Sequence, residues 1–347
     1  MGKIGKLTVA LAAGMALMAP LAAQALVINI NPVSGGGLDT GASAAAALAA
    51  FNRAADRWES LFSDPVTLEI DADLRNLGSS SIIGQAGSTL LAGGFDLIRN
   101  AMVSDASDES DDAIVGFLPD STGFSAFLPG GFSLLDAVVL TQANALALGF
   151  PRITPSDALI EFNSGFSFDF DSSDGLMGMD FETVALHEIG HALGFVSVVD
   201  EIDFRIATDQ ADAVAVMPFD LFRFGDPADP SSTSDFTSFA RWLVPGFPGF
   251  FDDLDVELAL STGFFNGDGR QASHWRDNDL SGVLLGVMDP TLPFNTIYPL
   301  SENDLRLLDR IGWDYRLGIH DVPEPMTLSL LGAGLAGMGW MRRRRAA

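Results

Sequence analysis

The stretch FETVALHEIGHALG, residues 181–194, decides how this chain is read. Val184, Leu186, Ala192 and Leu193 supply apolar faces, Asp180 and Glu182 an acidic start, and Gly194 a stop, so the spacing predicts a helix over 181–193. Residues four apart project from one helix face, which sets His187 and His191 side by side. Two imidazoles so placed can reach one metal ion, and Glu188, one position along, can meet a water held there rather than the ion itself. Read alone, the five-residue pattern also fits a surface helix with two unrelated histidines. Gly194 permits the positive φ of a sharp turn, which would bring a third ligand back over the first two.

A catalytic zinc needs three protein ligands and one open position. In most proteases of the His-Glu-x-x-His-x-x-Gly class the third lies six residues after the second histidine, where this chain has Ser197, a poor zinc ligand. Asp200 is close by and chemically able to bind. The other histidines are His274 and His320, the second of which abuts the C-terminal tail. There is no cysteine, which excludes thiol catalysis and cysteine metal sites. An exported chain without disulfides relies on its core, on bound metal, or on both.

Gln271-Ala272-Ser273-His274-Trp275-Arg276, then Gly286-Val287-Met288-Asp289-Pro290, then Leu300 through Trp313, resembles the catalytic end of leishmanolysin-type metzincins. In that family an insertion separates the zinc helix from its third histidine, and a methionine turn and a terminal helix follow. The resemblance implies that His274 is the third zinc ligand, that Met288 lies beneath the metal, and that roughly 194–269 is the insertion. It covers residues 181–316; leishmanolysins proper are rich in disulfides, so the resemblance is to a distant bacterial relative. Asp289-Pro290 stands where some metzincins place a tyrosine ligand, and Tyr298 is given no role.

Both ends fall outside the globular unit. Lys3 and Lys6, an apolar run from Leu7 to Ala22 and the small-residue end Ala23-Gln24-Ala25 have the order of a secretory signal peptide, cut before Leu26. At the other end Val322-Pro323-Glu324-Pro325 precedes an apolar run from Met326 to Trp340 and the cluster Arg342 to Arg345. This tail is similar to the PEP-CTERM sorting signal of Gram-negative bacteria. That resemblance implies recognition by an exosortase, transient membrane association through 326–341, cleavage near the motif, and delivery to the cell surface or outer matrix. Removing Lys3, Lys6 and Arg342 to Arg345 from 19 basic residues leaves 13, all arginine, and removing Glu324 from 46 acidic residues leaves 45, a formal net near −32. Such a surface repels nucleic acid and anionic lipid.

Further elements follow from periodicity. Strands are expected at 26–30, 66–74 and 158–170. Helices are expected at 44–62 (capped by Ser43), near 95–103 and 134–148, and at 302–311 (capped by Ser301), with 200–269 rich in loops. Asp169, Asp171 and Asp174, with Gly175, resemble an oxygen-ligand loop able to hold calcium, although no glutamate completes an EF-hand. The expected architecture is α+β and metzincin-like. A signal peptide (1–25) precedes an N-terminal subdomain (26–194) with a mixed twisted sheet and the histidine helix. A loop-rich C-terminal subdomain (195–320) holds the methionine turn and terminal helix, and a sorting tail occupies 321–347. The expected activity is zinc-dependent endopeptidase, with Glu188 as general base and a protein or peptide as substrate. The alternative is a surface or matrix protein whose zinc site is purely structural.

Overall fold

The computed structural model describes residues 25–108 and 112–316; the signal segment through 24, the sorting tail and His320 lie outside them. The chain is α+β, with several separate sheets. In the largest sheet, strand Val27–Pro32 runs parallel to Thr67–Arg75, which runs parallel to Ala158–Asn163. Gly84–Ser88 closes the sheet antiparallel to Ala158–Asn163 and forms its edge. Leu68, Ile70 and Ala72 alternate inward along the second strand and are fully buried.

Two parallel strands need a crossover, and helix Ala44–Leu61 supplies it between the first two. It buries Ala47, Ala50, Phe51, Ala54, Ala55 and Trp58, a helical stripe whose alanines allow close packing. Its partner is helix Phe181–Leu193, the segment that carries His187 and His191. Trp58 Nε1 donates to Leu186 O at 3.2 Å, and Trp313 Nε1 donates to Leu193 O at 2.8 Å. Two buried indoles, one from each end of the described chain, thus fix the histidine helix along its length. Phe162 packs against Phe51 and Phe181 with ring centroids 5.1 and 4.3 Å away. The hydrophobic core is continuous from Leu26 to Trp313 and takes residues from both sides of position 194.

Several expectations need correction. Residues 134–148 are not one helix: Ser133–Thr141 is a strand between Leu90–Gly94 and Ala213–Val216, and only Gln142–Ala147 is helical. The β-branched pair Val138-Val139 suits a pleated surface, and Thr141 ends the strand by capping the short helix, accepting from Asn144 N at 3.1 Å. The strand expected at 158–170 stops at Asn163 and resumes only at Phe168–Asp169. Helix Val198–Ala207 occupies part of the stretch read as loops, with Val198, Val199, Ile202 and Asp203 buried on one side. Ser43 makes no side-chain cap; at φ −101° and ψ 7° it lacks the extended backbone that a capping hydroxyl needs. Ser301 does cap the last helix, Glu302–Arg310, in a reciprocal box with Asp304.

That last helix ends in a buried ionic knot. Arg310 donates from Nε to Asp253 at 2.9 Å, from one terminal nitrogen to Asp309 at 2.8 Å, and also to Asp112. Burial, and then the neighbouring Asp112 carboxylate, push the Asp309 carboxyl well above the usual carboxylate range. The folded chain therefore keeps a proton that the unfolded chain releases near pH 4. Unfolding free energy falls as pH rises through that window, by up to about 1.4 kcal/mol per unit from this group. Asp309→Asn, neutral at every pH, is expected to flatten the slope between about pH 5 and 8. Urea denaturation across that range measures it, and identical slopes in both proteins would remove Asp309 as the source.

Candidate metal centre and cleft

Asp180 starts the histidine helix, accepting from Thr183 N at 2.9 Å and Thr183 Oγ1 at 2.6 Å. Gly194 ends it at φ 127°, a conformation that disfavours residues with a Cβ, and the chain folds back so that Phe195 N reaches Gly190 O at 3.1 Å. Gly190 lies inside the helix, where glycine costs stability. Its place is explained by Met288, whose Sδ lies too close to where a Cβ would stand for both to fit. The segment expected as a methionine turn therefore packs directly on the histidine helix.

The Nε2 atoms of His187, His191 and His274 form a triangle with edges of 3.1, 3.1 and 3.2 Å. Each Nδ1 faces a backbone carbonyl: His187 to Val287 O at 2.8 Å, His191 to Phe195 O at 2.8 Å, and His274 to Gln271 O at 3.1 Å. A carbonyl only accepts, so each Nδ1 carries the proton and each Nε2 presents a lone pair. Burial lowers His187 to about 4 and His191 to about 3, and takes His274 well below its ordinary value. All three rings are thus neutral near pH 7, and no hydrogen bond can join three bare lone pairs. A cation at their centre would resolve the conflict. Tetrahedral zinc, with Zn–N of about 2.0–2.1 Å, spaces its nitrogens about 3.3 Å apart, so the donor set fits in type and in spacing.

Carboxylates fix the third imidazole from both sides. Asp200 accepts from Ala272 N at 2.6 Å, Ser273 N at 2.9 Å and Ser273 Oγ, so it grips the backbone beside His274 and is not part of the nitrogen triangle. Ser197 N donates to Ser273 Oγ at 2.9 Å, and Ser197 Oγ donates to Asp220 at 2.6 Å. Asp304, fully buried, accepts from Trp275 Nε1 at 2.8 Å, Val287 N at 2.9 Å and Met288 N at 3.2 Å. It also accepts from Ser301 N at 2.8 Å and Ser301 Oγ at 2.9 Å. One carboxylate thus ties the terminal helix to both the methionine turn and the residue after His274. Sequence reasoning missed Asp220 and Asp304; the only local signal was the Ser301-to-Asp304 capping spacing.

A cleft of about 530 Å³ opens over the triangle. Glu188 lines it beside His187 and His191, and the edge strand forms one wall through Gly84, Gln85 and Ala86. Burial alone pushes the Glu188 carboxyl up to about 8. Such a group holds a proton readily, and a cation among the adjacent imidazoles would draw its affinity down toward neutrality. Tyr298 also lines the cleft and pairs with Asn278 Nδ2 at 2.8 Å.

The acidic loop at 169–174 behaves differently. Asp169 accepts from Asp171 N at 3.0 Å and Met177 N at 2.7 Å, and Asp171 accepts from Ser173 N at 3.3 Å and Ser173 Oγ at 2.5 Å. These carboxylates shape their own loop, and together with Asp174 they are not among the described groups whose ligand atoms converge. Asp229, Asp252 and Glu257 do bring carboxylate oxygens together, with Asp229 and Glu257 exposed to water.

A family model for the PEP-CTERM protein-sorting motif matches residues 321–345. The motif is the kind recognised by exosortase-type processing enzymes, and it marks a bacterial protein exported and sorted to the cell surface. No curated protein and no solved structure matches the chain. Among the described residues no helix is long and apolar enough to cross a membrane.

Proposed function

We propose that this chain is an exported zinc-dependent endopeptidase of metzincin-like build, with His187, His191 and His274 as metal ligands and Met288 in the turn beneath them. The observation that carries this reading is the convergence of three Nε2 lone pairs, 3.1–3.2 Å apart, beside the buried carboxyl of Glu188. Zinc in that seat would supply a Lewis acid able to bring the pKa of water down toward about 7 and to polarise a carbonyl.

The chain's own residues do the rest. The Nδ1–H bonds to Val287, Phe195 and Gln271 hold the rings in one tautomer and orientation. Glu188 takes a proton from the attacking water at its carboxylate and returns it to the leaving amine nitrogen. The edge strand Gly84–Ser88 ends its sheet, and its free side along the cleft can hydrogen-bond an extended polypeptide as an added strand. A peptide is therefore the substrate class that the cleft suits best. We read 26–194 as the subdomain bearing the sheet and histidine helix, and 195–320 as the one bearing the third histidine. The tail would hold the chain in the inner membrane of a Gram-negative bacterium through 326–341 until an exosortase-type enzyme cuts near Pro323-Glu324-Pro325. Cell surface or extracellular matrix is then the destination. The sorting motif also suits a surface or matrix protein with a purely structural zinc, which predicts a metal-loaded chain that cleaves nothing.

Zinc affinity of two variants tests the ligand set. His274→Ala is expected to lose tight zinc binding. Asp200→Ala is expected to retain one zinc with affinity reduced about 10- to 100-fold, as for residues that orient a ligand. Unchanged affinity in His274→Ala, with metal lost only from Asp200→Ala, would overturn the assignment in favour of Asp200.

A further inference from the structure

Beside the cleft, the chain exposes aromatic rings where burial is the norm. Phe264 lines the cleft and is 57 % exposed; Phe265 and Phe204 are 55 % and 51 % exposed. Phe265 sits edge-on to Phe264 at 5.0 Å between centroids and packs against Phe204 at 6.0 Å. The three rings form a continuous ledge leading out from the metal centre.

The backbone that presents this ledge is held firmly. Asp203, only 1 % exposed, accepts from Phe265 N at 2.7 Å, from Asn266 N at 2.8 Å and from Asn266 Nδ2 at 2.8 Å. Asp268 accepts from Thr262 N at 3.2 Å, and Thr262 Oγ1 accepts in return from Asp268 N at 3.0 Å. Gly263 N donates to Arg270 O and Ser261 N to His274 O, at 3.0 and 3.1 Å. The ledge is therefore set at a fixed distance from the His274 imidazole. Rings already packed on one another and anchored through their backbone have little freedom left to lose when a ligand covers them.

We propose that Phe264, Phe265 and Phe204 form a subsite for an apolar or aromatic side chain of an extended, uncharged or cationic polypeptide. This rests on the reading of the cleft as a peptide-binding site. Continuity with the cleft through Phe264 identifies the occupant as the polypeptide lying in it. The formal charge near −32 on residues 26–321 disfavours an acidic one. Aromatic rings recognise apolar and aromatic side chains through burial and edge-to-face contact, and cationic ones through their faces.

Binding to the zinc-loaded, full exported chain carrying Glu188→Gln tests this without requiring turnover. The probes are fluorescent decapeptides of Gly, Ser and Lys, with one Phe moved through successive positions, and the same peptide without Phe. At one or two positions Phe is expected to tighten binding about tenfold. Phe264→Ala or Phe265→Ala is expected to abolish that advantage while zinc content stays the same. Equal affinity for all peptides, no binding of any, or loss of affinity that does not depend on Phe would each overturn the proposal. A concentration-dependent dimer that Phe265→Ala dissociates would do so too, by assigning the ledge to a second copy. If the Phe preference depends on the ledge yet the unsubstituted chain cleaves none of these peptides, the subsite stands and the peptidase reading falls.

Discussion

Glu188→Gln is expected to lower peptide hydrolysis about 10³-fold while leaving zinc content unchanged. Glutamine keeps the shape of the side chain beside His187 but cannot take a proton from water. Positioned general bases contribute typically 10²- to 10⁴-fold, which sets the magnitude. The measurement is turnover of casein or a fluorogenic peptide by both proteins, with zinc quantified in each. Equal turnover would end the assignment of Glu188 as base. Absence of turnover in both, with zinc bound, would favour the structural-zinc alternative.

Asp304→Ala is expected to cost about 3–5 kcal/mol of stability, because several buried neutral donors lose their common acceptor. The substitution strips the acceptor from Trp275 Nε1, the Val287 and Met288 amides, and the Ser301 amide and hydroxyl. Each buried donor left without a partner costs about 1–3 kcal/mol. Since whole domains are stable by only about 5–15 kcal/mol, a loss of this size removes a large fraction of the margin against unfolding. Asp304→Asn, which keeps one carbonyl oxygen in place, is expected to lose less. Urea denaturation measures both, and a loss under about 1 kcal/mol for the alanine variant would show that the donors find other partners.

What could be read from the sequence was what local spacing encodes. Helix Phe181–Leu193 matches the reading in both boundaries, because a polar N-cap, an apolar period and a terminal glycine all agree there. Helix Ala44–Leu61 and strand Thr67–Arg75 were legible from their apolar periods alone, each within a residue of the expectation. Strand Ser133–Thr141 was not, since a nearly unbroken apolar run carries no period to separate strand from helix. Helix Val198–Ala207 is obscured by its start: Ser197 occupies the position where a third zinc ligand is expected, whereas its hydroxyl caps the helix by accepting from Val199 N at 3.2 Å. Among the site residues, the spacing joined His187 to His191, while bringing in His274 took a family resemblance rather than a local rule. Asp200 stood out as an acid near the helix, yet nothing nearby in sequence indicates that its partners are Ala272 and Ser273. Contacts across 72 residues leave no periodic trace.

The triangle of imidazoles also bears on an exported chain with no cysteine. His191 and His274 are 83 positions apart, yet their Nε2 atoms lie 3.2 Å from each other. With the proposed zinc between them they would act as a covalent-like cross-link, closing a loop for which a disulfide of equal span would restrict the unfolded chain by roughly 4–5 kcal/mol. The proposed catalytic ion would then double as the staple that this sequence otherwise lacks. In that case His274→Ala loses heat resistance along with its metal, and chemistry and durability in the extracellular space depend on the same three side chains.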